Sequence, residues 1–201
     1  MELRDAFDHL TTIRTQLAAT ERLRSLRAVP VALSGVMAVI AATAQLVALD
    51  DPAAEPLGYL AVWIGTAIVC GSAAAIVVAR RAHLSASRLD VANLRNAALQ
   101  FLPSLVAGAL FTTWIATAKP ELLWLLPGVW QLLFGLGNLA AQMVLPAAAR
   151  CVGVLYLCSG AWCLWLDQAA LDPWAMGLPF AVGQLALAVI LWWHHEREVR
   201  P

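Results

Sequence analysis

The residues of this chain that could do chemistry are few, and the most informative are neutral. Gln131, Asn138 and Gln142 stand 7 and 4 positions apart, so on a helix they fall within about 40° of one another. Gly128 and Gly135 flank the same face, and Gln184 shares a second face with Gly177, Ala188 and His195. Amides beside glycines have two uses in apolar surroundings. They hydrogen-bond between helices whose small residues let the backbones approach, or they form a polar wall lining a ligand cavity. Leu126-Pro127 and Leu178-Pro179 lie near these faces. Each proline lacks an N–H and so frees a carbonyl one turn earlier. Cys70, Cys151, Cys158 and Cys163 contain no CxxC and no zinc spacing, and in apolar runs such cysteines behave as small apolar residues. His194 and His195 are adjacent, point to different faces and make no i, i+4 metal pair. The sequence holds no GxSxG, no HExxH and no phosphate-binding loop. The expectation is a protein without catalytic or metal-ligating residues and without a cofactor.

The elements that position these amides follow from composition. Apolar residues make up 61% of 201 and charged residues 13%, half the share of a soluble protein (about 25%). Mean hydropathy is +0.73. Such a chain cannot present a polar surface all round, and its richness in apolar residues also excludes disorder. Thirteen basic residues balance thirteen acidic ones, so no net charge draws it to nucleic acid. A spanning helix needs about 20 apolar residues. Six charge-poor runs meet that need, at about 28–49, 56–79, 96–118, 122–145, 147–166 and 173–195. None alternates as a barrel strand would. The expected fold is all-α: a polytopic integral membrane protein, a six-transmembrane-helix bundle with an N-terminal cytoplasmic amphipathic helix.

Orientation follows from the basic residues. Twelve of the thirteen fall before the first run, between runs two and three or four and five, and after the sixth. Only Lys119 falls in the alternate loops, which carry Asp50, Asp51, Glu55, Glu121, Asp167 and Asp172. This alternation predicts both termini in the cytoplasm. Trp63, Trp114, Trp124, Trp162, Trp165 and Trp174 fall near the outer ends and Trp192 and Trp193 near the inner one, as an aromatic belt would. The first 28 residues are charged throughout and lack the apolar core of a cleavable signal. Arginine outnumbers lysine twelve to one and alanine is abundant, which suggests a GC-rich bacterial genome and a bacterial inner membrane.

Two segments lie outside the spans. In residues 1–27, Leu3, Phe7, Leu10, Ile13 and Leu17 form one helical stripe. Glu2, Asp5 and Asp8 crowd the far end, which suits a helix lying flat on anionic lipid poorly. The stripe either packs back on the protein's own loop or docks a partner protein or second copy, with lipid binding the remaining use. Residues 81–95 form a second amphipathic segment, with Leu84, Val91 and Leu94 on one face, and residues 196–201 are a cytoplasmic tail.

Ala38 and Ala42 make an Ala-xxx-Ala pair on the first span. With this pair, its size, its span count and its cytoplasmic termini, the chain resembles the substrate-binding subunits of energy-coupling-factor vitamin transporters. That resemblance implies a small-molecule carrier that docks its transport module through the alanine face. The long N-terminal segment is additional to that pattern. The leading expectation is different. It is a non-catalytic membrane protein acting as scaffold, assembly subunit or regulator, with the lipid bilayer and a protein partner or second copy engaged through residues 2–27. The carrier, with a small-molecule ligand, is the alternative.

Overall fold

A computed structural model of the chain describes residues 28–84, 88–143 and 145–195. The stripe of Leu3, Phe7, Leu10, Ile13 and Leu17 and the tail 196–201 lie outside the described residues. Among the described residues six helices form: α1 (Ala28–Ala48), α2 (Pro56–Leu84), α3 (Arg88–Ala118), α4 (Leu125–Ala140), α5 (Arg150–Trp165) and α6 (Pro173–His195). Short 3₁₀ turns flank α4 and α5, and no strand occurs among the described residues. Five helices are long and apolar enough to cross a membrane. The chain is an all-helical membrane protein.

Local chemistry sets the helix ends. Pro56 and Pro173 open α2 and α6, where a missing N–H costs nothing and φ is already helical. Asp172 caps α6, its Oδ1 accepting from the Trp174 N–H at 2.8 Å. Asp51 Oδ1 accepts from the Ala53 N–H at 3.0 Å and tightens the link between α1 and α2. The acidic loop residues therefore gather at one end of the bundle, called here the acidic end. Arg80 and Arg150 mark the opposite, basic end.

The fourth helix departs from expectation. The apolar run 122–145 yields only the 16 residues of α4, about 24 Å at 1.5 Å per residue, against about 30 Å of hydrocarbon. Its polypeptide tightens into 3₁₀ turns at Pro120–Leu122 and Ala141–Met143. Pro146 then adopts an extended conformation (φ −56°, ψ 149°) before the turn that leads into α5. The segment expected at 81–95 is divided between the ends of α2 and α3.

Packing neighbours run in the order α2–α1–α6–α5–α4–α3, and α1/α6 and α4/α5 are the most extensive pairs. Glycine explains how close they come. A Cβ on Gly128 would lie 2.8 Å from the Gly160 carbonyl oxygen, and one on Gly135 would lie 2.9 Å from that of Gly153. The two contacts place α4 antiparallel along α5, backbone against backbone. In the same way a Cβ on Gly177 of α6 would lie 2.5 Å from the Ala42 Cβ.

Two cores result. Near the acidic end Ala42, Tyr59, Trp63, Ile115, Leu126 and Met176 join residues of α1, α2, α3, α4 and α6. Near the basic end Ala28, Val152, Tyr156, Leu187 and Leu191, with Phe134 beside them, draw on α1, α4, α5 and α6. Among the described residues α2 adds nothing to this second core, whereas α3 reaches its edge through Phe101, whose ring lies 5.1 Å from that of Phe134. Ile68, Val69 and Ile76 of α2, and Leu99, Leu102 and Leu105 of α3, are exposed apolar side chains. Gly65 and Gly71 have nothing within 4 Å of an added Cβ.

Candidate functional site

The buried polar side chains among the described residues are Gln45, Thr112, Gln131, Asn138 and Gln184, all neutral. Their partners show what each does. Pro179 sits inside α6 and cannot donate to the carbonyl of Ala175, four residues earlier. Gln131 Nε2 of α4 donates to that carbonyl at 3.0 Å, and the Cys163 thiol of α5 reaches it at 3.6 Å. The same nitrogen approaches Cys163 Sγ at 3.3 Å and Met176 Sδ at 3.8 Å. Gln131 thus fastens α4 to α5 and α6 at the one point where α6 lacks its own bond. The paired expectation for Pro127 is not met. Pro127 lies in the first turn of α4, and the Leu123 carbonyl it could not serve accepts from the Leu126 N–H at 3.0 Å.

Gln184 Nε2 donates to the Tyr156 hydroxyl at 3.3 Å, linking α6 to α5. Glycine makes room for this contact. A Cβ on Gly183 would lie 2.5 Å from the Tyr156 hydroxyl oxygen. The Tyr156 ring packs with Phe134 and Phe180, each 5.0 Å between centroids, so its direction is fixed by edge and tilted aromatic contacts.

Asn138 is buried on α4, and its Oδ1 has no protein partner. Gln142 does not join the face expected of it. Helix α4 ends at Ala140, and Gln142 stands exposed in the following 3₁₀ turn. A 3₁₀ turn advances 120° per residue instead of 100°, so the helical wheel ceases to apply there.

Two features were missed in the sequence. Gln45, fully buried on α1, accepts from Trp63 Nε1 at 2.6 Å and donates to the Leu171 carbonyl at 2.7 Å. One amide therefore ties α1, α2 and the turn before α6. Its signal was a lone amide in a run otherwise free of strongly polar side chains. Trp63 is correspondingly a core residue rather than a belt anchor, whereas Trp114, Trp162, Trp165 and Trp174 are exposed as a belt requires. Trp130 is likewise bound inward, its Nε1 donating to Thr112 Oγ1 at 2.8 Å. The second missed feature is the partner of Cys163, which is Gln131.

The alanine pair gives a correction. Ala38 and Ala42 are 4% and 0% exposed, with Gly177 of α6 packed directly on them. Their small side chains serve a contact within the chain, so this face is not open to a transport module.

A depression of about 330 Å³ opens at the acidic end, bordered by Leu46, Leu49, Asp50, Asp51, Gln168 and Asp172. Two of its carboxylates already accept backbone N–H bonds, Asp51 from Ala53 and Asp172 from Trp174. Among the described residues no three His, Cys, Asp or Glu side chains come together as metal ligands. The interior offers hydrogen-bond donors and acceptors at neutral groups, a chemistry of fastening. Compared with family models, with curated proteins and with solved structures, the chain gives no match.

Proposed function

We propose that this protein is a non-catalytic membrane scaffold, assembly subunit or regulator, threaded six times through a bacterial inner membrane with both termini in the cytoplasm. The observation that carries the reading is the use made of the interior amides. Gln45, Gln131 and Gln184 each bond to a neighbouring helix or turn, over backbones brought close by glycine and alanine. A polar interior committed to holding helices together leaves recognition to the outside of the bundle. The sixth crossing is assigned to α4. It lies antiparallel along α5, and only an even number of crossings returns Arg197 and Arg200 to the side of Arg80 and Arg150.

Recognition is assigned to residues 2–27, whose apolar stripe of Leu3, Phe7, Leu10, Ile13 and Leu17 needs a cover other than lipid. The test is extraction of the tagged full chain in a mild detergent, followed by mass spectrometry of both its protein and its small-molecule fractions. A stoichiometric protein or second copy of the chain, lost when the stripe is disrupted, supports the reading. A stoichiometric small molecule with no protein overturns it in favour of a carrier.

A further inference from the structure

Helix α2 is buried only near its start. Tyr59, Leu60 and Trp63 are enclosed, and no described residue of α2 beyond them is. Residues 71–76 are six exposed positions in a row. Successive helical residues turn by about 100°, so these six look in every direction, and a Cβ on Gly71 would meet nothing within 4 Å. Yet α2 cannot stray far from α3. The two helices share the core at the acidic end through Tyr59, Trp63 and Ile115. At the basic end only residues 85–87 separate Leu84 from Arg88, which holds the two helix ends within about 14 Å. Helices α2 and α3 thus meet at one end and are tethered at the other, around a stretch where no protein closes on α2. Ile68, Val69 and Ile76 of α2 and Leu99, Leu102 and Leu105 of α3 are exposed along it.

Two guanidinium groups stand at one depth beyond this stretch. The apolar span of α2 ends at Val77 and that of α3 begins at Ala98. Arg80 follows the first and Arg95 precedes the second by the same three positions, about 4.5 Å of helix in each case. Both are exposed, and the one ion pair among the described residues, Lys119 with Glu121, is at the acidic end. Hydrocarbon alone would cover the apolar side chains and leave this charge unmatched. Basic side chains at headgroup depth on neighbouring spanning helices attract anionic lipid. We propose that α2 and α3 bind an anionic phospholipid at the basic end, its phosphate drawn to Arg80 and Arg95 and its acyl chains laid along the exposed stretch of α2. The site stands whether or not residues 2–27 dock a partner.

The test is native mass spectrometry of the full chain in mild detergent, titrated with phosphatidylglycerol or with phosphatidylcholine of the same acyl chains. Each arginine near an anionic lipid headgroup contributes about 5-fold in affinity, so the pair should give the parent about a 30-fold preference for phosphatidylglycerol. Arg80→Gln with Arg95→Gln should abolish the preference. Arg150→Gln, which removes an exposed arginine of the same end from α5, should keep it. Glycerol 3-phosphate, which carries the charge without acyl chains, should not compete. Equal retention of the two lipids by the parent, an unchanged preference in the double variant or the same loss in Arg150→Gln would overturn the proposal. Displacement by glycerol 3-phosphate at equal concentration would overturn it too, by showing a site for free phosphate.

Discussion

The bond between Gln131 and Ala175 can be isolated, because a single proline creates the need for it. Gln131→Leu keeps the side-chain volume roughly constant and removes the donor 3.0 Å from the Ala175 carbonyl. The remaining neighbour is a thiol at 3.6 Å, a weak donor. Stranding a buried acceptor costs about 1–3 kcal/mol, while interhelical bonds in membranes average about 0.6 kcal/mol. We expect a loss of about 1–2 kcal/mol, which at this chain length lowers the melting temperature by about 2–8 °C. Pro179→Ala supplies the missing N–H in α6, so the carbonyl gains its own helical partner. In that background Gln131→Leu should cost about 0.5 kcal/mol or less, giving a coupling near 1 kcal/mol between two residues on different helices. Thermal melts of the four proteins in one detergent measure it. Equal losses in the two backgrounds, or no loss in either, would refute the fastening role.

The glycine contacts predict opposite signs for one substitution at two places. Gly160→Ala sets a methyl 2.8 Å from the Gly128 carbonyl and the Leu132 N–H, and should destabilise by about 1–3 kcal/mol. Gly65→Ala meets open space and should stabilise by about 0.5–1 kcal/mol through helix propensity alone; both are read by the same melts. Gln142→Leu, at an exposed turn, should leave stability within about 0.5 kcal/mol of the parent. For topology, single cysteines at 52–55, 168 and 169 should react with an impermeant thiol reagent added to sealed cells, and those at 85–93 should not. Labelling at 85–93 would overturn the threading.

Much of this architecture is legible in the sequence because its rules are local. Charge-poor runs give the helices, and Asp172 followed by Pro173 marks the start of α6 by capping. The shared face of Gln131 and Asn138 follows from a seven-residue spacing. What is not legible depends on where a helix stops and on which side of it a residue faces. Gln142 lies on the right wheel position, but α4 has already ended. Trp63 stands at belt depth, yet the face it occupies turns it inward to Gln45. Ala38 and Ala42 resemble a docking face for another protein, yet they pack on Gly177 of α6. Sequence spacing cannot distinguish a contact with α6 from one with another protein, since both demand the same small side chains. The absence of α2 from the second core leaves no trace in hydropathy, because helices exposed to lipid and helices buried in protein are equally apolar.

The claim that recognition lies outside the bundle, on residues 2–27, is tested most directly by the native mass of the assembly. The chain is extracted in nanodiscs from the membrane that made it, as the parent and as a variant with both Phe7→Asp and Leu10→Asp. These substitutions lie 21 and 18 residues before the start of α1 at Ala28, so insertion should proceed equally in both. The account predicts a parent mass well above that of a single 21.5 kDa chain, through a second copy or a stoichiometric partner, and a monomeric mass for the variant. Equal masses for the two proteins would contradict it.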